Sequence, residues 1–343
     1  MRQTKRIRAL AMLLGLVSLA SALALPAMAQ DAGIAPPAEV AAFGPIAAGS
    51  GDGLTIGFTQ LGLGVPFTEA LQRGMEAGAT ASGVKLITCD SKFDAAAALD
   101  CARQFRTQNV DGLVTFQADA AAAANICAEG PQVPVIAIDI EQQPCQTAFV
   151  GAANAYAGEI VGYALGEYFK ANFDCKYDAW VSLESLAVGV VNDLRMGGMR
   201  DGFAKVCGEV QNLRVIDTGA GVQADTAQRQ VTDTLTALPG AQRIITVGIN
   251  EDVITGALAA ARSQNRTDAL YIGAQNFDPG NCQIWTAPHF IATAAYFPEK
   301  YAQLIIPNLI KAIKGEEIGK QILVPHEVIT KDNMMQLYPE TNC

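Results

Sequence analysis

The stretch LTIGFTQLGLGVPFTEALQRGMEAGATASGVKLITC, residues 54–89, decides the fold class of this chain. It begins and ends with a short apolar run of the kind that forms a buried strand. Between the two runs, Phe67, Leu71 and Met75 recur at a spacing of four behind Pro66, which is typical of an amphipathic helix that begins at a proline. A strand, a helix and a second strand in this order predict one unit of a parallel sheet.

The same alternation continues along the chain in two sets that separate near residue 150. The further predicted strands are 112–116, 133–139, 179–184, 213–217, 243–248, 270–274 and 291–296, and the further predicted helices are 94–109, 119–129, 154–173, 192–207, 224–238, 251–263 and 298–314. Apolar strands separated by helices are typical of parallel sheets that are covered on both faces. At ~150 residues per domain, the sequence predicts an α/β fold with two doubly wound, Rossmann-like lobes.

The N-terminus has the features of a secretory signal peptide. Basic residues at the start precede a run of apolar and small residues, which ends in Ala-Met-Ala at 27–29. This pattern predicts a signal peptide over 1–29, cleaved after Ala29, and a mature protein in the periplasm. A membrane anchor is the alternative, but the apolar run is shorter than the ~20 residues that a span requires. Residues 30–52 are rich in Ala, Gly and Pro, which predicts a flexible leader.

Composition excludes several classes of protein. The 343 residues include 24 Lys+Arg, 34 Asp+Glu and 2 His, so the formal net charge is −10, and removal of four basic residues with the signal peptide makes it −14. An acidic chain is not expected to bind nucleic acid, which attracts basic surfaces. Two histidines leave little scope for histidine-based metal or acid–base chemistry. The sequence also has no nucleophile elbow, P-loop or HExxH motif, so we expect neither an enzyme nor a bound cofactor or metal.

Polar side chains follow the predicted strands at the points where ligands bind in such sheets. Asp139 ends the fourth strand, and Asn250 and Gln275 follow two strands of the second set. In open parallel sheets, ligands lie beyond the carboxyl ends of the strands. Acids and amides dominate these positions and basic residues do not cluster there. The pattern therefore favours a neutral hydroxylated ligand or an amine-bearing ligand over a phosphate.

Six short motifs carry a family resemblance. They are Pro66-Phe67, VPVIAID ending at Asp139, RMGGMRDGF from Arg195 to Phe203, Ile-Asn250-Glu-Asp, Gly273-Ala-Gln275-Asn and Ala295-Tyr296-Phe297-Pro298. On these motifs, the chain from about residue 54 to 335 resembles the periplasmic sugar-binding proteins of ABC transporters, and most closely the ribose-binding type, whose fold the LacI-type regulators share. The order and spacing of the six motifs make the resemblance specific for the fold.

The resemblance implies a type I periplasmic binding protein with a three-strand hinge. The implied N-terminal lobe comprises 53–153 plus 297–325, and the C-terminal lobe comprises 154–296 plus 326–343. The implied ligand-binding residues are Phe67, Asp139, Arg195, Asn250, Gln275 and Tyr296. Asp139 would accept sugar hydroxyls, Arg195 would donate to them, Asn250 and Gln275 would do both, and the two aromatic rings would stack on the C–H face of the ligand.

For three of these residues, the sequence also allows a purely structural role. Phe67 is equally consistent with a core side chain, Arg195 with a solvated residue at a helix start, and Asn250 with a helix cap. The chain also departs from the ribose-binding pattern, because Ile140 stands in place of a second arginine and Val65 in place of a ligand asparagine. A polyol, a deoxy-sugar or another small polar molecule is therefore as consistent with the sequence as ribose.

The resemblance implies the substrate-binding component of an ABC import system. Such a component works as a monomer that binds a sugar or polyol and presents it to a permease in the inner membrane. A periplasmic sensory protein that presents its ligand to a chemoreceptor or kinase receptor is the alternative. A DNA-binding regulator does not fit the signal peptide, and no basic helix-turn-helix precedes residue 54.

The eight cysteines all belong to the mature chain, where an oxidising compartment favours disulfides. No C-x-x-C spacing indicates a metal site. If neighbours along the sequence pair, the bridges are Cys89–Cys101, Cys127–Cys145, Cys175–Cys207 and Cys282–Cys343. This pairing places two bridges in each lobe and none between the lobes, which leaves a hinge free to move.

Overall fold

The computed structural model describes residues 34–219, 224–339, 341 and 343. The predicted signal peptide and the first residues of the predicted leader lie outside this range. The described chain forms two α/β lobes, each built around a six-stranded sheet. No helix within the described residues has the length and apolar character needed to cross a bilayer.

The first sheet contains the strand–helix–strand unit of residues 54–89. Its strands are β1 (Thr55–Gln60), β2 (Lys85–Asp90), β3 (Gly112–Thr115), β4 (Val135–Ile138), β5 (Ala148–Ala152) and β11 (Gln321–Val324). They lie in the order β11-β5-β4-β3-β1-β2, and every neighbouring pair is parallel. Helices α1 (Pro66–Ser82), α2 (Ala95–Thr107), α3 (Ala123–Glu129) and α9 (Ala302–Ile313) belong to this lobe. Helix α1 begins at Pro66 and ends before Gly83, which has a left-handed conformation, as the sequence predicts.

The second sheet repeats this plan with one reversed strand. Its strands are β6 (Ala179–Glu184), β7 (Leu213–Asp217), β8 (Ile244–Gly248), β9 (Leu270–Gln275), β10 (Phe290–Ala295) and β12 (Glu327–Ile329). They lie in the order β12-β10-β9-β8-β6-β7, with β12 antiparallel to β10. The helices of this lobe are α4 (Asn154–Phe173), α5 (Val190–Cys207), α6 (Ala224–Thr236), α7 (Glu251–Ser263), α8 (Cys282–Trp285) and α10 (Met334–Leu337).

Three crossings join the two sheets. The chain passes from β5 to α4 at Ala153, from β10 back to the first lobe at Tyr296 and Phe297, and from β11 to β12 at His326. Two doubly wound lobes joined by three connections confirm the predicted fold class. We retain 53–153 plus 297–325 and 154–296 plus 326–343 as the proposed lobe boundaries.

Helices α4 and α5 approach each other closely because glycines line their contact. A Cβ atom on Gly162 would overlap the carbonyl oxygen of Met199, and one on Gly202 would overlap the carbonyl oxygen of Glu159. Gly197, also in α5, has open space at the same position. The close approach matters for the site because Asn154 is the first residue of α4 and Arg195 lies in the second turn of α5.

Residues 34–52 correct the predicted flexible leader. Ile34 is buried in the core of the second lobe, while Val40 forms a β-bridge with Leu323 of the first sheet. The ring of Phe43 packs edge-on against Phe297 of the hinge at a centroid distance of 6.0 Å. The Ala, Gly and Pro content of this segment suggested flexibility, but its widely spaced apolar side chains anchor it to both lobes.

The eight cysteines form four disulfides in the predicted pairing. Cys89–Cys101 joins β2 to α2, and Cys127–Cys145 joins α3 to the loop before β5. The other two bridges, Cys175–Cys207 and Cys282–Cys343, connect segments of the second lobe. None of the four bridges spans the two lobes, so the disulfides stiffen each lobe without restricting the hinge.

Candidate functional site

Arg195 is the centre of a group of polar side chains near the hinge. Its Nε donates to Asn154 Oδ1 at 2.7 Å, and its Nη1 donates to the carbonyl of Ile249 at 3.2 Å. Its guanidinium lies over the Tyr296 ring, with Cζ 4.9 Å from the centroid. These three contacts fix the plane of the guanidinium, and they leave other N–H groups of its five-donor fork for a ligand.

Asp139 enters the same group from the first lobe. It follows β4 with a left-handed backbone (φ 53°), and its Oδ1 accepts from the amide of Ala152 at 3.0 Å. Burial raises the pKa of its carboxyl to about 6, although the Ala152 hydrogen bond and the Arg195 charge both act to lower it. The charge of a guanidinium in one lobe therefore acts on a carboxyl in the other.

Gln275 and Tyr296 lie behind Arg195 and support it. The Gln275 side chain is fully buried; its Nε2 donates to the Arg195 carbonyl at 3.2 Å, and its Oε1 accepts from the Tyr296 hydroxyl at 2.5 Å. Tyr296 is 1% exposed, and burial raises its pKa to about 12. Both side chains use polar atoms within the protein, where they support Arg195, and direct contact with a ligand stays a prediction for them.

Asn250 caps helix α7. Its Oδ1 accepts from the amide of Val253 at 3.2 Å, and its Nδ2 donates to Asp252 at 3.2 Å. Helix capping is the alternative role that the sequence allows for Asn250, and the structure shows this cap. Asn250 is nevertheless half-buried and adjacent to Ile249, whose carbonyl binds Arg195, so it borders the site.

Phe67 belongs to an aromatic wall on the first-lobe side. Its ring packs edge-on against Phe116 and Tyr301, at centroid distances of 6.3 and 5.9 Å. Tyr301 is buried, and its hydroxyl has no hydrogen-bond partner among the described residues. Burial, with the charge of Asp139 as the next contribution, raises the pKa of Tyr301 well above its ordinary value. Phe67 therefore borders the site and also packs into the core. Its predicted stacking on a ligand and its packing in the core are compatible.

A cleft of about 220 Å³ opens beside this wall, between the lobes. From the first lobe it is lined by Phe67, Glu69 and Arg73, and from the second by Asp252 and Asp278. Asp139 and Arg195 do not line this cavity, and of the residues predicted to bind the ligand only Phe67 does. Drug-sized ligands occupy pockets of roughly 300–1,000 Å³, so a space of this size suits a small molecule.

Sequence reasoning missed several residues of the site. Asn154 orients Arg195, Tyr301 completes the aromatic wall, and His326 packs against Tyr296 with a ring-centroid distance of 4.4 Å. Asn154 and Tyr301 follow crossings between the lobes and His326 lies within one, and two of these crossings involve strands absent from the sequence prediction. A polar or aromatic residue close to a crossing was the available signal for a site residue. This signal can be used only after the crossings have been located.

The fold and the site together define a two-lobed binding protein, in which groups from both lobes meet beside a hinge. The chain belongs to the periplasmic binding protein domain family, whose model matches residues 56–317. A search of curated proteins gives no significant match.

Solved structures with the same fold support this assignment. An ABC transporter periplasmic solute-binding protein from Actinobacillus succinogenes with bound D-allose is 17% identical, with a TM-score of 0.68 over 82% of this chain and 99% of that one. A solute-binding protein from Mycobacterium smegmatis with bound glycerol is 23% identical, with a TM-score of 0.68 over 83% and 96%. One from Bacillus halodurans with bound myo-inositol is 17% identical, with a TM-score of 0.67 over 85% and 99%. At these identities, the likeness shows the shared fold.

Proposed function

We propose that this protein is the substrate-binding component of an ABC import system and that it binds a monosaccharide or a related small polyol between its lobes. The observation that carries the proposal is that Asp139 of one lobe and Arg195 of the other both lie beside the crossings, where the charge of Arg195 acts on the Asp139 carboxyl. The family consists of solute-binding proteins, and structural neighbours hold D-allose, myo-inositol or glycerol. Membership of this family supports a binding role over a catalytic one.

The two charged groups suit adjacent hydroxyls of one ligand. An ionised Asp139 accepts hydrogen bonds and Arg195 donates them, so a hydroxyl pair satisfies both with opposite polarity. The half-buried Phe67 offers an apolar surface to the C–H face of a ring. A single negative and a single positive charge favour a neutral ligand, because an anion would leave Asp139 facing a like charge.

Ligand binding between the lobes provides the signal for transport. A ligand that contacts Asp139 and Arg195 at the same time interacts fully only when the lobes are close together. It therefore stabilises the closed form over the open form by its difference in affinity for the two. We propose that a permease in the inner membrane recognises the closed form of a periplasmic monomer, which reaches the periplasm through the signal peptide at 1–29.

A thermal-shift screen tests the ligand class. The mature protein is heated alone and with saturating D-ribose, D-allose, L-arabinose, myo-inositol or glycerol. A ligand that binds only the folded protein stabilises it by about 2.7 kcal/mol at 100 times its Kd, so at least one compound is expected to raise Tm clearly. The absence of a shift with every compound in a wider panel of pentoses, hexoses and polyols would refute the sugar proposal.

The affinity for the ligand is expected to fall as the pH decreases from 7 to 5. Ligand hydroxyls bind the ionised form of Asp139, whose pKa burial raises to about 6, so protonation competes with binding below that pH. The decline approaches a limit of about ten-fold per pH unit well below the pKa, because one proton is taken up. Titration calorimetry of the best ligand from the screen measures it.

The variant Asp139→Asn separates this effect from other titrations. Its affinity should be lower than that of the wild type and nearly constant between pH 5 and 7. Burial also raises the pKa values of Asp252 and Glu327. If Asp139→Asn keeps the full pH dependence, these or other groups are responsible, and the assignment to Asp139 is wrong.

A further inference from the structure

His326 connects all three crossings between the lobes. The residue itself lies in the third crossing, between β11 and β12, and is 3% exposed. Its Nε2 accepts from the amide of Ala153 in the first crossing at 2.9 Å. Its Nδ1 lies 2.9 Å from the carbonyl oxygen of Ala295, where the second crossing begins. One imidazole therefore bonds to the backbone of the other two connections.

The two hydrogen bonds require one particular form of the imidazole. An amide N–H can only donate and a carbonyl oxygen can only accept, so Nδ1 carries the proton and Nε2 does not. Burial lowers the pKa of His326 to about 4, and the charge of Arg195 acts in the same direction. The neutral form that both bonds need is therefore the form present at neutral pH.

The same ring contacts the ligand site through Tyr296. The two rings pack at a centroid distance of 4.4 Å and an angle of 63°. The Tyr296 ring lies under the Arg195 guanidinium, and its hydroxyl bonds to Gln275. His326 thus contacts the backbone of the hinge on one side and the support of Arg195 on the other.

We propose that His326 is a positioning residue that fixes the relative geometry of the three crossings and ties this geometry to Arg195 through Tyr296. A change in lobe angle that moves the crossings relative to one another stretches or breaks the bonds to Ala153 or Ala295. The imidazole therefore sets the preferred lobe angle of the unliganded protein. The part of this inference that concerns Arg195 rests on the proposed function, whereas the part that concerns lobe angle does not.

Three variants dissect the two bonds. His326→Phe keeps a planar ring of similar size and loses both bonds. His326→Gln places an amide oxygen near the position of Nε2 and can accept from Ala153, while His326→Asn places an amide nitrogen near Nδ1 and can donate to Ala295. His289→Phe is the matched control, because His289 is the second of the two histidines and stacks on Tyr271 of the second lobe.

Two measurements on the unliganded, full-length mature protein test the lobe angle. Small-angle X-ray scattering reports the separation of the lobes, and hydrogen exchange reports opening at the peptide that contains Ala153. We expect His326→Phe to increase the radius of gyration and to raise exchange in that peptide by about ten-fold or more, as loss of two buried hydrogen bonds implies. The Gln and Asn variants should lie between it and the wild type, and His289→Phe should match the wild type.

Ligand affinity is measured with the compound that gives the largest rise in Tm among D-ribose, D-allose, L-arabinose, myo-inositol and glycerol. His326→Phe is expected to weaken its affinity by about ten-fold, and Gln or Asn should restore part of the loss. If no compound binds, the sugar proposal fails while scattering and exchange still decide the role of His326. A folded His326→Phe variant with wild-type scattering and exchange would overturn the inference. If that variant does not fold, wild-type behaviour of both Gln and Asn would overturn it.

Discussion

Replacing Arg195 by alanine is expected to reduce the ligand-induced rise in Tm sharply while the protein remains folded. The substitution removes the donors that we propose for the ligand hydroxyls, and it removes the positive charge that acts on the buried Asp139 carboxyl. A hydrogen bond that involves a charged group contributes about 1.5–3 kcal/mol. Affinity should therefore fall by about ten-fold or more, as measured by titration calorimetry.

Two further arginine variants make this result specific. Arg195→Lys keeps the positive charge and loses the planar fork that holds Asn154 and the Ile249 carbonyl, so it should bind with intermediate affinity. Arg214→Ala removes an exposed arginine from β7 of the same lobe and should leave affinity unchanged. If Arg195→Ala binds as tightly as the wild type, Arg195 is only a structural residue of α5 and the proposed site is wrong.

The second large effect concerns stability at the contact between α4 and α5. Gly202→Ala is expected to destabilise the protein by about 1–3 kcal/mol, because the added methyl group overlaps the backbone of the facing helix at Glu159 and Tyr163. The helices must move apart to relieve the overlap. Denaturant unfolding of the mature protein measures the loss, with the disulfides kept intact.

Gly197→Ala is the control within the same helix. Its added methyl group meets no neighbouring atom, so the substitution should stabilise α5 by about 0.5–1 kcal/mol through higher helix propensity. Opposite signs for the two glycines would show that the close approach of the helices, and not glycine content in general, controls stability. Equal effects of the two substitutions would contradict the packing that the structure describes.

Most strands of the fold were predictable from the sequence. Strands such as β6 and β8 are mostly apolar runs, which indicate buried strands. Strands β5, β11 and β12 were not predicted. They have three to five residues, and although β5 (AFVGA) and β11 (QILV) are apolar, such short runs do not identify a strand by themselves. Their pairing with distant strands holds them in place, and this is tertiary information.

The site was predictable to the extent that it depends on strand ends and helix starts. Those positions, together with the family motifs, identified Asp139 and Arg195. Sequence did not reveal that Gln275 bonds to the Arg195 backbone or that the Tyr296 ring packs on the Arg195 guanidinium, and direct ligand contact by either residue stays a prediction. Such contacts depend on which residues from elsewhere in the chain surround a side chain in the folded protein.

The attachment of residues 34–52 has a consequence for the order of folding. This segment is made before the rest of the mature chain, yet Phe43 and Val40 contact Phe297 and Leu323, which are made near the end. Contacts between residues so distant in sequence form late, because a long loop must close first. The central strands of each sheet can pair earlier. We therefore expect the N-terminal segment to dock last, after both lobes have formed.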